Sequence, residues 1–242
     1  MRIIIADNDQ EMSRKAAAMV TSQVVLKPDC VLGLATGDTP LGMYKELIKS
    51  YENGDVDFSK VTTFNLDEYY GLDKENKQSY AYYMKAHLFK HINVVKENIH
   101  IPNGMAIDIN EECENYEAQI YNKGGIDLLV LGIGANGHIG FNEPDTHFIA
   151  ETHRVMLKKE TINDNSRFFN SREETPTMAI SMGIRAIIQS RMLLMLVSGK
   201  AKTDAIYKTI KGTIRPDVPA SILQIHPNAT IMIVKSAAGL LL

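Results

Sequence analysis

The 242 residues carry 26 Lys and Arg against 29 Asp and Glu, a net charge of −3, and 45 % of them are hydrophobic. That length and apolar content predict one α/β domain over residues 1–242 with a sizeable core, and exclude a disordered chain. The slight acidity excludes a general binder of nucleic acid or membrane surface, which needs a basic field, but leaves room for a local anion pocket.

In chain order, Arg2–Ala6 reads as a strand, and Asp9–Val25 as a helix with Met12, Ala16, Met19, Val20 and Val24 on one face. "CVLGLA" (30–35) is the next strand and "PLGMYKELIKSY" (40–51) the next helix, followed by the strand "VTTFNL" (61–66). Gln78–Lys90 and Glu111–Lys123 read as helices around a loop, before the apolar strand "IDLLVLGIG" (126–134). "RMLLMLVSG" (191–199), the helix Lys202–Lys211 and "ATIMIVK" (229–235) complete the series. Strands this continuously apolar are buried on both faces, so the expected architecture is an open, mostly parallel sheet layered by helices. Cys30 and Cys113 form no C-x-x-C pair and read as buried free thiols, and no signal peptide or membrane span is evident. A cytoplasmic protein is expected.

In such sheets ligands collect beyond the carboxyl ends of the strands, where the polar, glycine-rich stretches of this chain fall. "ATGDTPLG" (35–42) joins a strand to a helix, with Pro40 suited to the first turn and Thr39 to the N-cap. It reads either as an anion seat at a helix N-terminus or as an ordinary capped turn. Asp38 would repel a phosphate unless it turns away or binds a sugar hydroxyl. "FNLDEYYGL" (64–72) places Asp67 and Glu68 where a buried strand stops; alternation lets one of them face a site, as a desolvated base, against the blander reading of a solvated loop.

"LGIGANGHIGFNEP" (131–144) contains G-x-G-x-x-G, but no helix follows Gly137, because Gly140, Asn142 and Pro144 break it. The dinucleotide reading fails on that context. A tight loop presenting Asn136, His138 and Glu143 is left, suited to proton transfer near neutral pH. Arg167 in "NSRFF" and Lys202 in "SGKAKTDA" are surface cations or phosphate ligands; with the Gly/Thr loop they describe a phosphorylated small molecule. His87 and His91, at i, i+4, read as a surface helix pair rather than a metal site.

Taken together, "LGLATGDTPLGMYKEL", "TFNLDEYYGL", "LGIGANGHIGFNEP" and "NSRFF" resemble the glucosamine-6-phosphate deaminases, also called isomerases, in matching order from the first strand to near residue 235. The resemblance implies conversion of D-glucosamine 6-phosphate and water to D-fructose 6-phosphate and ammonia, with neither metal nor organic cofactor. It implies that Asp67 moves the C2 proton to C1 through a cis-enolamine and that His138 opens the pyranose ring. Glu143 matches the carboxylate partnered with that histidine, and Asn136 a fourth active-site position. Thr36, Gly37, Asp38, Thr39, Gly137, Arg167 and Lys202 match substrate-binding positions. The same fold family includes 6-phosphogluconolactonases and sugar-phosphate sensors; lactone hydrolysis needs no base at C2, and the sensors carry an N-terminal helix-turn-helix.

Three departures stand out. Some relatives carry Asp where this chain has Asn136, small residues are usual at Asp38, and the chain ends at Leu242 without the extension of allosteric hexameric relatives. A non-allosteric enzyme, monomeric or a small homo-oligomer, is therefore expected, with a small-molecule substrate and neither nucleic acid nor membrane as partner.

Overall fold

The computed structural model describes residues 1–157, 162 and 175–242. Seven strands, β1 (Arg2–Ala6), β2 (Val31–Leu34), β3 (Thr62–Asn65), β5 (Ile99–His100), β6 (Leu128–Leu131), β9 (Met192–Val197) and β10 (Ala229–Val234), form one sheet in the order β1-β10-β9-β6-β2-β3-β5. Every pairing in it is parallel. Apolar runs predict six of these strands, β5 being the exception, and alternate residues of the runs feed two cores. Leu32, Leu34, Leu128, Val130, Leu194 and Leu196 meet α1 (Asp9–Leu26), α2 (Leu41–Glu52) and α3 (Tyr80–His87) on one face. Val31, Phe64, Leu129, Leu131, Leu193 and Met195 meet α4 (Ile109–Asn122), α5 (Ile184–Gln189) and α6 (Thr203–Lys211) on the other. Both cysteines are buried and free. Among the described residues, no helix is long and apolar enough to cross a membrane.

The strand order reverses in the middle. From β2 the chain works outward through β3 and β5, then returns to β6 on the other side of β2 and works outward through β9 and β10. A crevice opens at such a reversal, beyond the carboxyl ends of the two strands that diverge. At the opposite end of the sheet the carboxylate of Asp127, buried just before β6, accepts from Lys27, Arg191 and the Val31 N–H. It thereby ties together the starts of β2, β6 and β9.

A second sheet was not foreseen. β4 (Asp67–Tyr70), β8 (Met178–Ser181) and β7 (His153–Met156) pair antiparallel in the order β4-β8-β7. Asp67 and Glu68, expected where a strand ends, instead open a new one. Leu66 is the joint between the sheets: its N–H bonds Leu34 in β2, and its carbonyl accepts from Met182, just after β8. The stretch after Asp145, polar and without helical period, contains β7. One local expectation is corrected. Thr39 does not cap α2, which begins at Leu41 with Pro40 at the N-cap and no side-chain cap bond; the preceding turn is closed by the Leu41 N–H to the Asp38 carbonyl.

Candidate active site

Four neighbouring strands, β9, β6, β2 and β3, run parallel and end on the same side of the sheet. Their continuations carry Lys202, the Asn136–Glu143 loop, the Thr36–Thr39 loop and Asp67. Ten of the eleven predicted site residues are thus delivered to one edge by topology. Arg167 lies outside the described residues.

The loop after β6 is folded by its glycines. The Gly134 N–H bonds the His138 carbonyl and the Gly137 N–H bonds the Gly134 carbonyl, with Gly137 at φ +91°. A Cβ on Gly134 would lie 2.2 Å from Cε1 and 2.3 Å from Nδ1 of His138. The imidazole therefore rests on bare backbone, and only glycine allows it there. Gly137, expected to bind substrate, has its N–H engaged in the turn, and its carbonyl accepts from Ala220.

The hydrogen bonds fix which nitrogen of His138 carries the proton. Asn136 Nδ2 donates to Glu143 Oε2 at 2.8 Å, since a carboxylate can only accept. That turns Asn136 Oδ1 toward His138, where it accepts from the backbone N–H at 3.1 Å and lies 2.8 Å from Nδ1. Nδ1 is therefore the protonated nitrogen, and Nε2 keeps its lone pair for a ligand. Glu143 Oε1 is 3.7 Å from Nδ1. Burial lowers the imidazole pKa; Glu143 opposes that shift and the charge of Lys202 adds to it. The group is a neutral base with an acid's partner at hand.

The two acids of "FNLDEY" separate cleanly. Glu68 accepts from the N–H groups of Tyr69, Tyr80 and Ala81, each at 2.8 Å. It caps the start of α3 and is spent on structure, although burial still raises its pKa to about 7. Asp67 is 7 % exposed and makes no hydrogen bond or ion pair among the described residues. Burial, and then the neighbouring charge of Glu68, raise its pKa to about 8. An unpartnered carboxylate held back from ionisation is a strong base once it has lost its proton.

Asp67 is brought to the histidine loop by a residue the sequence did not single out. Ser181 pairs with Asp67 across β4 and β8, and its Oγ accepts from the Phe141 N–H at 3.1 Å. Asn142 strengthens the link by donating to the carbonyls of Ile139 and Met182. Gly140, at φ +57°, completes the approach: a Cβ there would sit 3.5 Å from Asp67 Oδ2 and 3.2 Å from Ser181 Oγ. The carboxylate thus lies against the loop two residues beyond His138. No period or motif marks Ser181; the short apolar run Met178–Ile180 before it was the available signal.

Beside these groups lies the loop after β2. The N–H groups of Thr36, Gly37, Asp38 and Thr39 donate to no acceptor among the described residues. Gly37 adopts φ +97°. Free amides at the entry to a helix are the arrangement that the anion-seat reading of "ATGDTPLG" requires. Asp38 is exposed and its charge acts on Tyr83 of α3.

Residues 6–232 match the family of glucosamine-6-phosphate isomerases/6-phosphogluconolactonase. A glucosamine-6-phosphate deaminase from Clostridium botulinum is 62 % identical over 99 % of this chain and 98 % of its own, and one from Clostridium novyi is 56 % identical over 99 % of each. The chain belongs to this family. A solved structure described as a monomeric glucosamine-6-phosphate deaminase is 42 % identical and superposes with a TM-score of 0.96, over 99 % of this chain and 100 % of that one. A 6-phosphogluconolactonase from Thermotoga maritima, 20 % identical with a TM-score of 0.77, shares the fold of this family member.

Proposed function

We infer that the chain is a glucosamine-6-phosphate deaminase, a hydrolase that converts D-glucosamine 6-phosphate and water to D-fructose 6-phosphate and ammonia. The carrying observation is the free, buried Asp67 carboxylate set against the loop that presents His138. An aldose-to-ketose shift needs two proton-transfer groups at different ends of one sugar and an anchor that fixes the sugar between them. The likeness over the full chain to the deaminases supports the same reading.

In this reading the free amides of Thr36–Thr39, with Lys202 and Arg167, hold the phosphate. Nε2 of His138 takes the proton of the anomeric hydroxyl and returns it to the ring oxygen, opening the pyranose. The imidazolium formed in passing is stabilised by Asn136 Oδ1 and Glu143. Asp67, ionised, removes the C2 proton; that electron pair forms the C1=C2 double bond as the C1=O π pair moves onto O1, which takes a proton from the substrate's own ammonium group to give the enolamine. Return of that proton to C1 gives the imine of the ketose, and water then replaces the amine as ammonia. Asp38 turns from the phosphate toward α3, and Gly137 shapes the loop. The reading extends to a monomer that N-acetylglucosamine 6-phosphate does not activate.

Ammonia release from glucosamine 6-phosphate, measured with a metal chelator present, is the test. The expected result is turnover unchanged by the chelator and linear in enzyme. Hydrolysis of 6-phosphogluconolactone without ammonia release would instead make the protein a lactonase. Rate against substrate with and without N-acetylglucosamine 6-phosphate checks the last point; strong activation would reject it.

A further inference from the structure

Resting on the reading of residues 36–39 as a phosphate seat, one question is what aims those amides. Two carbonyls of the loop, two residues apart, are held from the same side of the sheet by tyrosine hydroxyls. Tyr44 of α2, fully buried, donates to the Ala35 carbonyl. Tyr83 of α3, half-buried, donates to the Gly37 carbonyl at 2.6 Å.

A trans peptide is planar, so its C=O and the following N–H point in opposite directions. Gripping the carbonyls of Ala35 and Gly37 from the helix side therefore drives the N–H groups of Thr36 and Asp38 the other way. These are two of the amides that have no acceptor among the described residues. Gly37 is the residue that must rotate for this, and its φ of +97° lies where only glycine is comfortable.

Tyr83 is itself well fixed. α3 is capped at its start by Ser79 and by the Glu68 carboxylate, and the Tyr83 ring packs on His87 with centroids 4.6 Å apart. Burial, and then the charge of Asp38, resist ionisation of the hydroxyl, which keeps it a donor. We propose that Tyr83 is a positioning residue for phosphate: its hydroxyl, with that of Tyr44, clamps the back of the Thr36–Thr39 loop so that the amides of Thr36 and Asp38 converge on the anion. Tyr83 touches no reacting atom and acts only through the loop.

The experiment compares Tyr83→Phe and Tyr83→Leu with the wild-type protein, reading steady-state kinetics on glucosamine 6-phosphate and calorimetric binding of inorganic phosphate. Removing one neutral hydrogen bond is expected to raise KM and the phosphate Kd together by about three- to tenfold in Tyr83→Phe, with kcat within about twofold. The thermal midpoint without phosphate should hardly move. If Tyr83→Phe behaves as wild type and only Tyr83→Leu is impaired, packing of the ring is what matters and the clamp is overturned. A fall in kcat at unchanged KM overturns it as well. Wild-type protein that binds phosphate but releases no ammonia would reject the deaminase reading alone, because the phosphate Kd of Tyr83→Phe still tests the clamp.

Discussion

Asp67 is stored in the folded protein with its proton in place. Its pKa is about 8 against an ordinary 3.8, so the native state keeps a proton that the unfolded chain has lost. Stability therefore falls as pH rises through that window, and is unaffected below it. Asp67→Asn should abolish both ammonia release and C2-proton exchange while sparing phosphate binding. It should also melt higher than wild type, by a margin that grows between about pH 4 and pH 8, at about 2–4 °C per kcal/mol for a chain of this size. Equal melting temperatures at pH 5 and pH 8 would contradict the account. At His138 the sign is opposite. Asn136→Asp replaces a neutral acceptor with a charge and should raise the imidazole pKa; a proton-NMR titration of the ring reads it directly. The sequence pointed to an acid at 67 or 68 and alternation said that one faces the site. Which one was not legible, because three backbone N–H groups, two of them twelve and thirteen residues away, claim Glu68.

Six strands of the main sheet were legible as apolar, β-branched runs; the two-residue β5 was too short to leave such a run. The four-residue strands β4, β7 and β8 were not. β7 is half-exposed, and the pairing of β4 with β8 joins residues more than a hundred positions apart. Those strands carry Asp67 to the histidine loop, so the catalytic geometry was the less readable part of the site. The loop itself shows how little latitude its backbone has. Gly134→Ala would push the imidazole off its seat, since the new Cβ would overlap the ring. A displacement of about 1 Å costs roughly a hundredfold in kcat. Phosphate affinity should be preserved, because the anion loop hangs from a different strand. Loss of both kcat and phosphate binding would mean that the two loops are one unit.

For the molecule as a whole, the two ends of the sheet carry different duties. The proposed chemistry sits at the carboxyl ends of β9, β6, β2 and β3, while the Asp127 carboxylate braces the opposite end. Asp127→Asn leaves the shape intact but weakens the brace. Lys27 and Arg191 are exposed enough to rehydrate, so the expected cost is modest, about 1–2 kcal/mol. A lower urea midpoint with unaltered kcat and KM is the anticipated result, and altered kinetics would show that strain passes from end to end.

The reversal of strand order at β2 has a further consequence for how the protein acquires its activity. In the proposed mechanism residues 1–122 supply the anion seat and the carboxylate base, whereas the imidazole and Lys202 arrive only with the later strands. Neither portion of the polypeptide holds a complete set of reacting groups. A ribosome must finish β6 and β9 before the first sugar can be turned over, and enzymatic competence reports that both halves have met.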